Sequence, residues 1–135
     1  MPHTVPVHDG LFVAGSPPRL LGSRCRACTG HHFPRHRTCP YCASDQVDEV
    51  ELSPTGTLWS WTAVTAAPPG YRGAVPYGFG VVELPEGLRV VTRLTESDPS
   101  RLRSGQAMEL VLDPLHLDGE GRQVVVPAFA PAGGP

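Results

Sequence analysis

Four cysteines carry the clearest chemical signal in this chain. They stand at Cys25, Cys28, Cys39 and Cys42, a C-x2-C pair, ten residues, then a second C-x2-C pair. All four fall within 18 consecutive residues, and the rest of the chain has none. A two-residue gap lets one tight turn present both sulfurs to a single ion at about 2.3 Å. The intervening ten residues suffice for a short hairpin that sets the second pair opposite the first. Four thiolates arranged this way make a closed tetrahedral site, the ligand set of structural zinc. A rubredoxin-like iron site uses the same ligands and stays open as the competitor. Disulfides fit less well, because the start of the chain does not read as an export signal and cytosolic disulfides are rare. A redox pair would need only one C-x2-C and a βαβ setting that this region lacks.

The metal is expected to hold a fold together and to do no catalysis. A catalytic zinc keeps one position open for water, and four thiolates close the shell. His31, His32 and His36 lie inside the hairpin and read as solvated loop residues. His3 and His8 fall in the opening arm, and His116 stands alone near the end. Elsewhere no catalytic constellation emerges. Asp98, Glu96, Glu83 and His116 are acids or bases by residue type only. They are more simply read as a helix cap, a loop charge, a strand-surface charge and a loop histidine. All cysteines are committed to metal, so no thiol nucleophile remains. All 11 basic residues are Arg, which removes Schiff-base and P-loop lysine chemistry.

These residues need elements to place them. The chain has 135 residues, 15 Gly and 16 Pro, with 40% hydrophobic and 18% charged residues. That Gly and Pro content opposes a helical bundle and favours short strands joined by turns. No apolar run is long enough to cross a bilayer, so a cytoplasmic protein is expected. Residues 1–18 read as an irregular N-terminal arm. Residues 19–50 read as a zinc ribbon, opened by a short strand at Arg19 to Arg24, with Val47 and Val50 as strand residues after it. Residues 51–130 read as a barrel domain, and residues 131–135 as a disordered tail.

Within the barrel domain the first strand is Gly56 to Val64, with Leu58, Ser60, Thr62 and Val64 on one face and Trp59, Trp61 and Ala63 on the other. A long Pro- and Gly-rich loop follows from Thr65 to Pro76. Strands at Tyr77–Leu84 and Leu88–Leu94 form a hairpin around Pro85-Glu86-Gly87. Asp98 to Gly105 reads as one helical turn, with Asp98 as N-cap, Pro99 at its first position and Gly105 as its stop. Strands at Ala107–Leu112 and Gln123–Phe129 complete a set of five. Five short strands with a helical turn between the third and fourth suit an OB-fold barrel; an SH3-like barrel or a small sandwich is the fallback.

In this order the motifs resemble the DUF35 family, which joins a rubredoxin-like zinc ribbon to an OB-fold domain. The resemblance rests on Leu21-Gly-Ser-Arg-Cys-Arg-Ala-Cys28, Phe33-Pro34, Cys39-Pro-Tyr-Cys42, Gly56-Thr-Leu-Trp-Ser-Trp61, Pro76-Tyr77, Val82-Glu-Leu-Pro-Glu-Gly-Leu-Arg89, Leu94-Thr-Glu-Ser-Asp-Pro99 and Leu102-Arg-Ser-Gly105. Family members often place Gly directly after each cysteine pair; this chain has Thr29 and Ala43 there, so Thr29 is expected to distort its turn. The N-terminal helix of many members is not legible in residues 1–18.

The resemblance implies a non-catalytic subunit that pairs with a thiolase-superfamily enzyme, whether a thiolase, a lipid-transfer-protein-like aldolase or a related synthase. It also implies an acyl-CoA thioester as the shared ligand. Arg35 and Arg37 on the ribbon hairpin are then placed to meet a CoA phosphate, against a plain reading as solvated loop charge. Trp59 and Trp61 are placed to line an acyl channel or a subunit interface, against ordinary core packing. Tyr77, at the head of its strand, joins them as a contact candidate.

A single-stranded nucleic-acid-binding OB module is the alternative from another class. Net charge of −2 disfavours it; Arg24, Arg26, Arg35 and Arg37 are offset by Asp45, Asp48, Glu49 and Glu51. A stand-alone enzyme would need an acid or base that the sequence does not single out.

Overall fold

A computed structural model describes residues 4–6, 10–15 and 17–132. They form ten strands: β1 (Thr4–Pro6), β2 (Phe12–Val13), β3 (Arg19–Cys25), β4 (His31–His32), β5 (Val47–Glu51), β6 (Thr55–Val64), β7 (Tyr77–Glu83), β8 (Arg89–Leu94), β9 (Ala107–Leu117) and β10 (Gln123–Pro131). One 3-10 turn, Pro99–Arg101, lies between β8 and β9.

The last five strands close a barrel. β6 pairs with β7, β7 with β8, β8 with β10, β10 with β9, and β9 returns to β6. Every pairing among them is antiparallel except β8 with β10. That is the five-stranded Greek-key order of an OB-fold. β8 holds β10 only at Ala128 and Phe129, and β1 covers the remaining edge of β10 from Gln123 to Val125. Two small smoothing devices permit closure. β6 carries a register shift between Leu58 and Ser60, and β10 one between Val124 and Val125. Pro114 sits in β9 opposite Val125, beside that second shift, where a missing N–H costs little.

The barrel is filled by Leu58, Val82, Leu84, Val90, Leu94, Met108, Leu110 and Phe129. Leu20 from β3 and Leu52 from the connection join the same cluster. Leu52 donates its N–H to the Leu20 carbonyl at 2.9 Å. Burying side chains of this size contributes roughly 1.5–3 kcal/mol each, so ribbon and barrel are packed as one body.

Several expectations are corrected. Residues 1–18 are not a wholly irregular arm: β1 runs parallel to β10 and β2 antiparallel to β3. Pairing within a sheet overrides the weak local propensity of such short, Pro-flanked segments. The fourth barrel strand reaches Leu117, because pairing with β10 carries it past Leu112. Pro131 ends β10, and Ala132 donates to the Ala107 carbonyl at 2.9 Å; residues 133–135 lie outside the described residues. Asp98 caps the helical turn, its side chain accepting from the Ser100 N–H at 3.0 Å. The turn stops at Leu102 and not at Gly105. Gly105 takes φ of +81° and hands its N–H to the Leu58 carbonyl at 2.8 Å.

Candidate metal centre

The ribbon is built on β3. β5 pairs along one of its sides from Leu21 to Cys25, and β4 lies on the other at Ser23 and Arg24. Cys25 closes β3 and so enters the site from a sheet. Two turns with the same hydrogen-bond pattern then present the sulfurs. In the first, Thr29 N–H donates to Cys25 O at 2.9 Å and Cys25 N–H to Gly30 O at 2.9 Å. In the second, Ala43 N–H donates to Cys39 O at 2.9 Å and Cys39 N–H to Ser44 O at 2.8 Å. The first cysteine of each pair is buried and the second exposed.

The four Sγ atoms lie within 4.8 Å of one another. Cys25 and Cys42 approach at 3.6 Å, as do Cys28 and Cys39. Those separations suit four sulfurs about 2.3 Å from one central ion, and they are far beyond the S–S bond length of about 2.05 Å. Backbone N–H groups turn toward sulfur: Cys28 N–H toward Cys25 at 3.5 Å and Tyr41 N–H toward Cys39 at 3.4 Å. Such donors favour thiolate. The Cys28 N–H, more than any other contact, holds the Cys25 thiol down to about 6. Cys42 receives the Ser44 N–H, which lowers it, but hydrogen bonding with Cys25, burial, and contact with Cys28 and Cys39 together push it up to about 12. The donor set therefore fits a cation that neutralises crowded sulfur, and it leaves no open position for water.

Two histidines of the hairpin, His31 and His32, depart from expectation, while His36 is an exposed loop residue. His31 and His32 form β4, and His32 is buried against Tyr41, edge-on at 6.2 Å between centroids, and stacked with His36 at 5.6 Å. His32 is packing for the ribbon and not a solvated loop residue. Pairing with β3 buries it, which loop composition alone does not reveal.

Arg35 and Arg37 reach the same hollow on the ribbon, a cavity of about 470 Å³ lined with Ser23, His36, Val47 and Glu49. Arg35 is ion-paired with Glu49. Arg26 pairs with Asp48 at 3.5 Å and Arg19 with Glu51 at 3.9 Å. The acids of β5 thus neutralise much of the ribbon's Arg charge.

Trp59 and Trp61 do not share a face. The register shift makes Trp59 the extra residue of β6, so Leu58 points inward, Trp59 outward, and Trp61 returns to pack against the core. Trp61 also donates its indole N–H to Pro99 O at 3.0 Å. Strict alternation fails wherever a bulge inserts a residue. Trp59 is 53% exposed, with the Arg89 guanidinium 4.1 Å above its ring and Glu83 pairing Arg89 at 3.0 Å. Tyr77 is a buttress: its ring lies 4.9 Å from Tyr71, and Arg93 sits 4.9 Å over it. Arg93 also binds Asp113 at 3.1 Å and the Tyr71 hydroxyl at 3.0 Å. That network pins the loop between β6 and β7, and only the loop's Tyr and Arg content hints at it. Asp98, Glu96, Glu83 and His116 do not converge: Asp98 caps the turn, Glu83 pairs with Arg89, and Glu96 faces Arg101 at 3.8 Å. His116 touches the Leu117 carbonyl at 3.0 Å. Among the described residues no helix is long and apolar enough to cross a membrane.

Comparison with known proteins agrees with this architecture. The family model described as "ChsH2, rubredoxin-like zinc ribbon domain" matches residues 12–48, and "ChsH2, C-terminal OB-fold domain" matches residues 49–113. A DUF35 domain-containing scaffold protein of Pyrococcus furiosus is 35% identical, over 69% of this chain and 68% of its own length. Benzoylsuccinyl-CoA thiolase subunit BbsA of Thauera aromatica is 33% identical, over 84% of this chain and 79% of its own length. The solved structure of an "Ltp2-ChsH2(DUF35) aldolase" superposes with a TM-score of 0.62 at 37% identity, covering 84% of this chain and 85% of that one. With both halves matched in order and the sulfur cage in place, this chain belongs to the DUF35 family of zinc-ribbon and OB-fold proteins.

Proposed function

We propose that this chain is the non-catalytic partner subunit of a thiolase-superfamily enzyme acting on acyl-CoA thioesters. The carrying observation is the pairing of a closed four-sulfur cage with an OB barrel in a chain whose relatives include a thiolase subunit and an aldolase complex. In this reading the nucleophile belongs to the partner, because every cysteine sulfur here faces the cage. Cys25, Cys28, Cys39 and Cys42 hold zinc, which locks the two turns together as a structural ion. Iron at the same ligands is the competitor, and elemental analysis of freshly purified protein separates the two. A thiolate cage is kept intact in a reducing compartment, which supports a cytoplasmic location.

The ribbon hollow is the contact offered to the thioester. Arg37 and the Glu49-paired Arg35 line it, and guanidiniums bind phosphate in forked geometry. A nucleic-acid role is supported less, because the β5 acids already engage Arg19, Arg26 and Arg35. The test is co-expression with the thiolase-fold proteins of the same organism. A stable complex of defined stoichiometry supports the reading. Two chains that elute apart, or tight salt-sensitive binding of single-stranded DNA by this chain alone, overturn it.

A further inference from the structure

We infer that the outer face of β6, β7 and β8, centred on Trp59 and Val91, is where the catalytic partner docks; this rests on the partner-subunit reading above. Three exposed apolar side chains gather there: Trp59 at 53%, Val91 at 62% and Phe79 at 39%. Register makes them one patch. Val81 sits directly opposite Val91, Ser60 opposite Val81, and Phe79 two residues along β7 from Val81. Outward side chains at such spacing are in mutual reach. The face continues into an apolar groove of about 200 Å³, where Leu11 and Phe33 of the ribbon meet Phe79, Val91 and Val126. Any partner seated here touches both halves of the molecule at once.

The bulge has a consequence for this face. Without the extra residue in β6, alternation after Leu58 would not leave two successive outward positions. Trp59 faces outward by alternation from Leu58; the inserted residue turns Trp61 inward and leaves Trp59 and Ser60 as two successive outward positions, and bulges recur where a side chain must be re-aimed. Arg89 over the ring and Glu83 on Arg89 hold the indole in place before anything binds. A pre-ordered Trp beside an Arg is the composition of an interface anchor.

Charge selects the occupant. Arg89 is matched by Glu83, and Arg93 by Asp113. The patch therefore offers apolar area with its cations already neutralised. A polyphosphate strand would find little to grip, whereas a protein surface can cover the apolar area and leave the half-exposed Arg89–Glu83 pair at its hydrated rim. The occupant is accordingly an apolar, uncharged patch on the thiolase-fold partner.

The experiment uses the complex of this chain with a thiolase-fold protein of the same organism and measures its dissociation constant by calorimetry. Trp59→Ala is expected to weaken binding about 30-fold or more, the effect of losing a central aromatic anchor, and Val91→Glu to abolish it. Leu117→Glu, at an exposed position on β9, is expected to leave binding within threefold. Metal content and melting temperature of each variant check that folding is retained. Binding unchanged in both face variants overturns the docking face and leaves the partner reading standing. A wild-type chain that binds no partner overturns both. A concentration-dependent dimer of the isolated chain, or oligo-dT binding, that disappears with Trp59→Ala assigns the face to a second copy or to nucleic acid and overturns the proposal.

Discussion

Thr29 and Ala43 occupy equivalent positions in the two cysteine turns, with φ of 64° and 65°. Each donates its N–H to the carbonyl of the first cysteine in its pair, at 2.9 Å. Thr29 therefore does not distort its turn relative to the second; both turns adopt the left-handed conformation in spite of their side chains. The Thr29 hydroxyl offsets part of that cost by donating to the Cys28 carbonyl at 2.6 Å. A left-handed L residue costs roughly 1–2 kcal/mol, and a β-branched one is the worst case. Thr29→Gly is expected to raise stability of the metal-loaded chain by about 0.5–1 kcal/mol after the entropy of glycine is subtracted. Ala43→Gly should do the same. Chemical denaturation checks both, and a loss of stability in each would refute the strain argument.

Metal affinity should depend on pH with a definite sign. Cys42, pushed up to about 12, holds its proton at neutral pH in the metal-free ribbon, while Cys25 at about 6 is already largely thiolate. Metal entry must therefore expel at least the Cys42 proton. Each proton expelled makes affinity fall about tenfold per unit drop in pH. Competition with a chromophoric chelator at pH 8 and pH 7 measures the slope; zinc affinity that is flat across that window contradicts the assignment.

The barrel core should fail at its centre first. Phe129 is fully buried in β10, between β8 and β9. Phe129→Ala removes a large side chain from a packed site and is expected to cost about 3–5 kcal/mol. Denaturant unfolding gives the value directly.

Arg93 ties three elements together through Asp113, Tyr71 and Tyr77. Arg93→Gln leaves Asp113 short of a charged partner and is expected to cost about 1–3 kcal/mol. It should also loosen the loop between β6 and β7, seen as faster proteolysis at that loop. Equal cleavage rates in the two proteins would separate the loop from this network.

The sulfur cage was legible because its spacing is a local code, two turns each closed within five residues. The five barrel strands and their order were legible from alternation and turn residues, and the Asp98 cap from its Pro99 partner. What escaped was set by distant pairing. β1 and β2 exist because β10 and β3 offer them edges, and His32 is buried because β4 lies on β3. The bulge at Trp59 is a property of the β6–β7 ladder, so alternation counted along β6 alone put both tryptophans on one face. Phe79 and Val91 became a patch only when register aligned their strands.

Reconstitution tests the partner-subunit role most directly. Acyl-CoA turnover by a thiolase-fold protein of the same organism is measured alone, with this chain, and with its Cys25→Ser variant, and this chain is also assayed by itself. Activity is expected to rise to saturation at a fixed ratio with the wild-type chain, to rise little or not at all with the variant, and to be absent from this chain alone. A partner equally active by itself, or turnover by this chain unaided, would contradict that role.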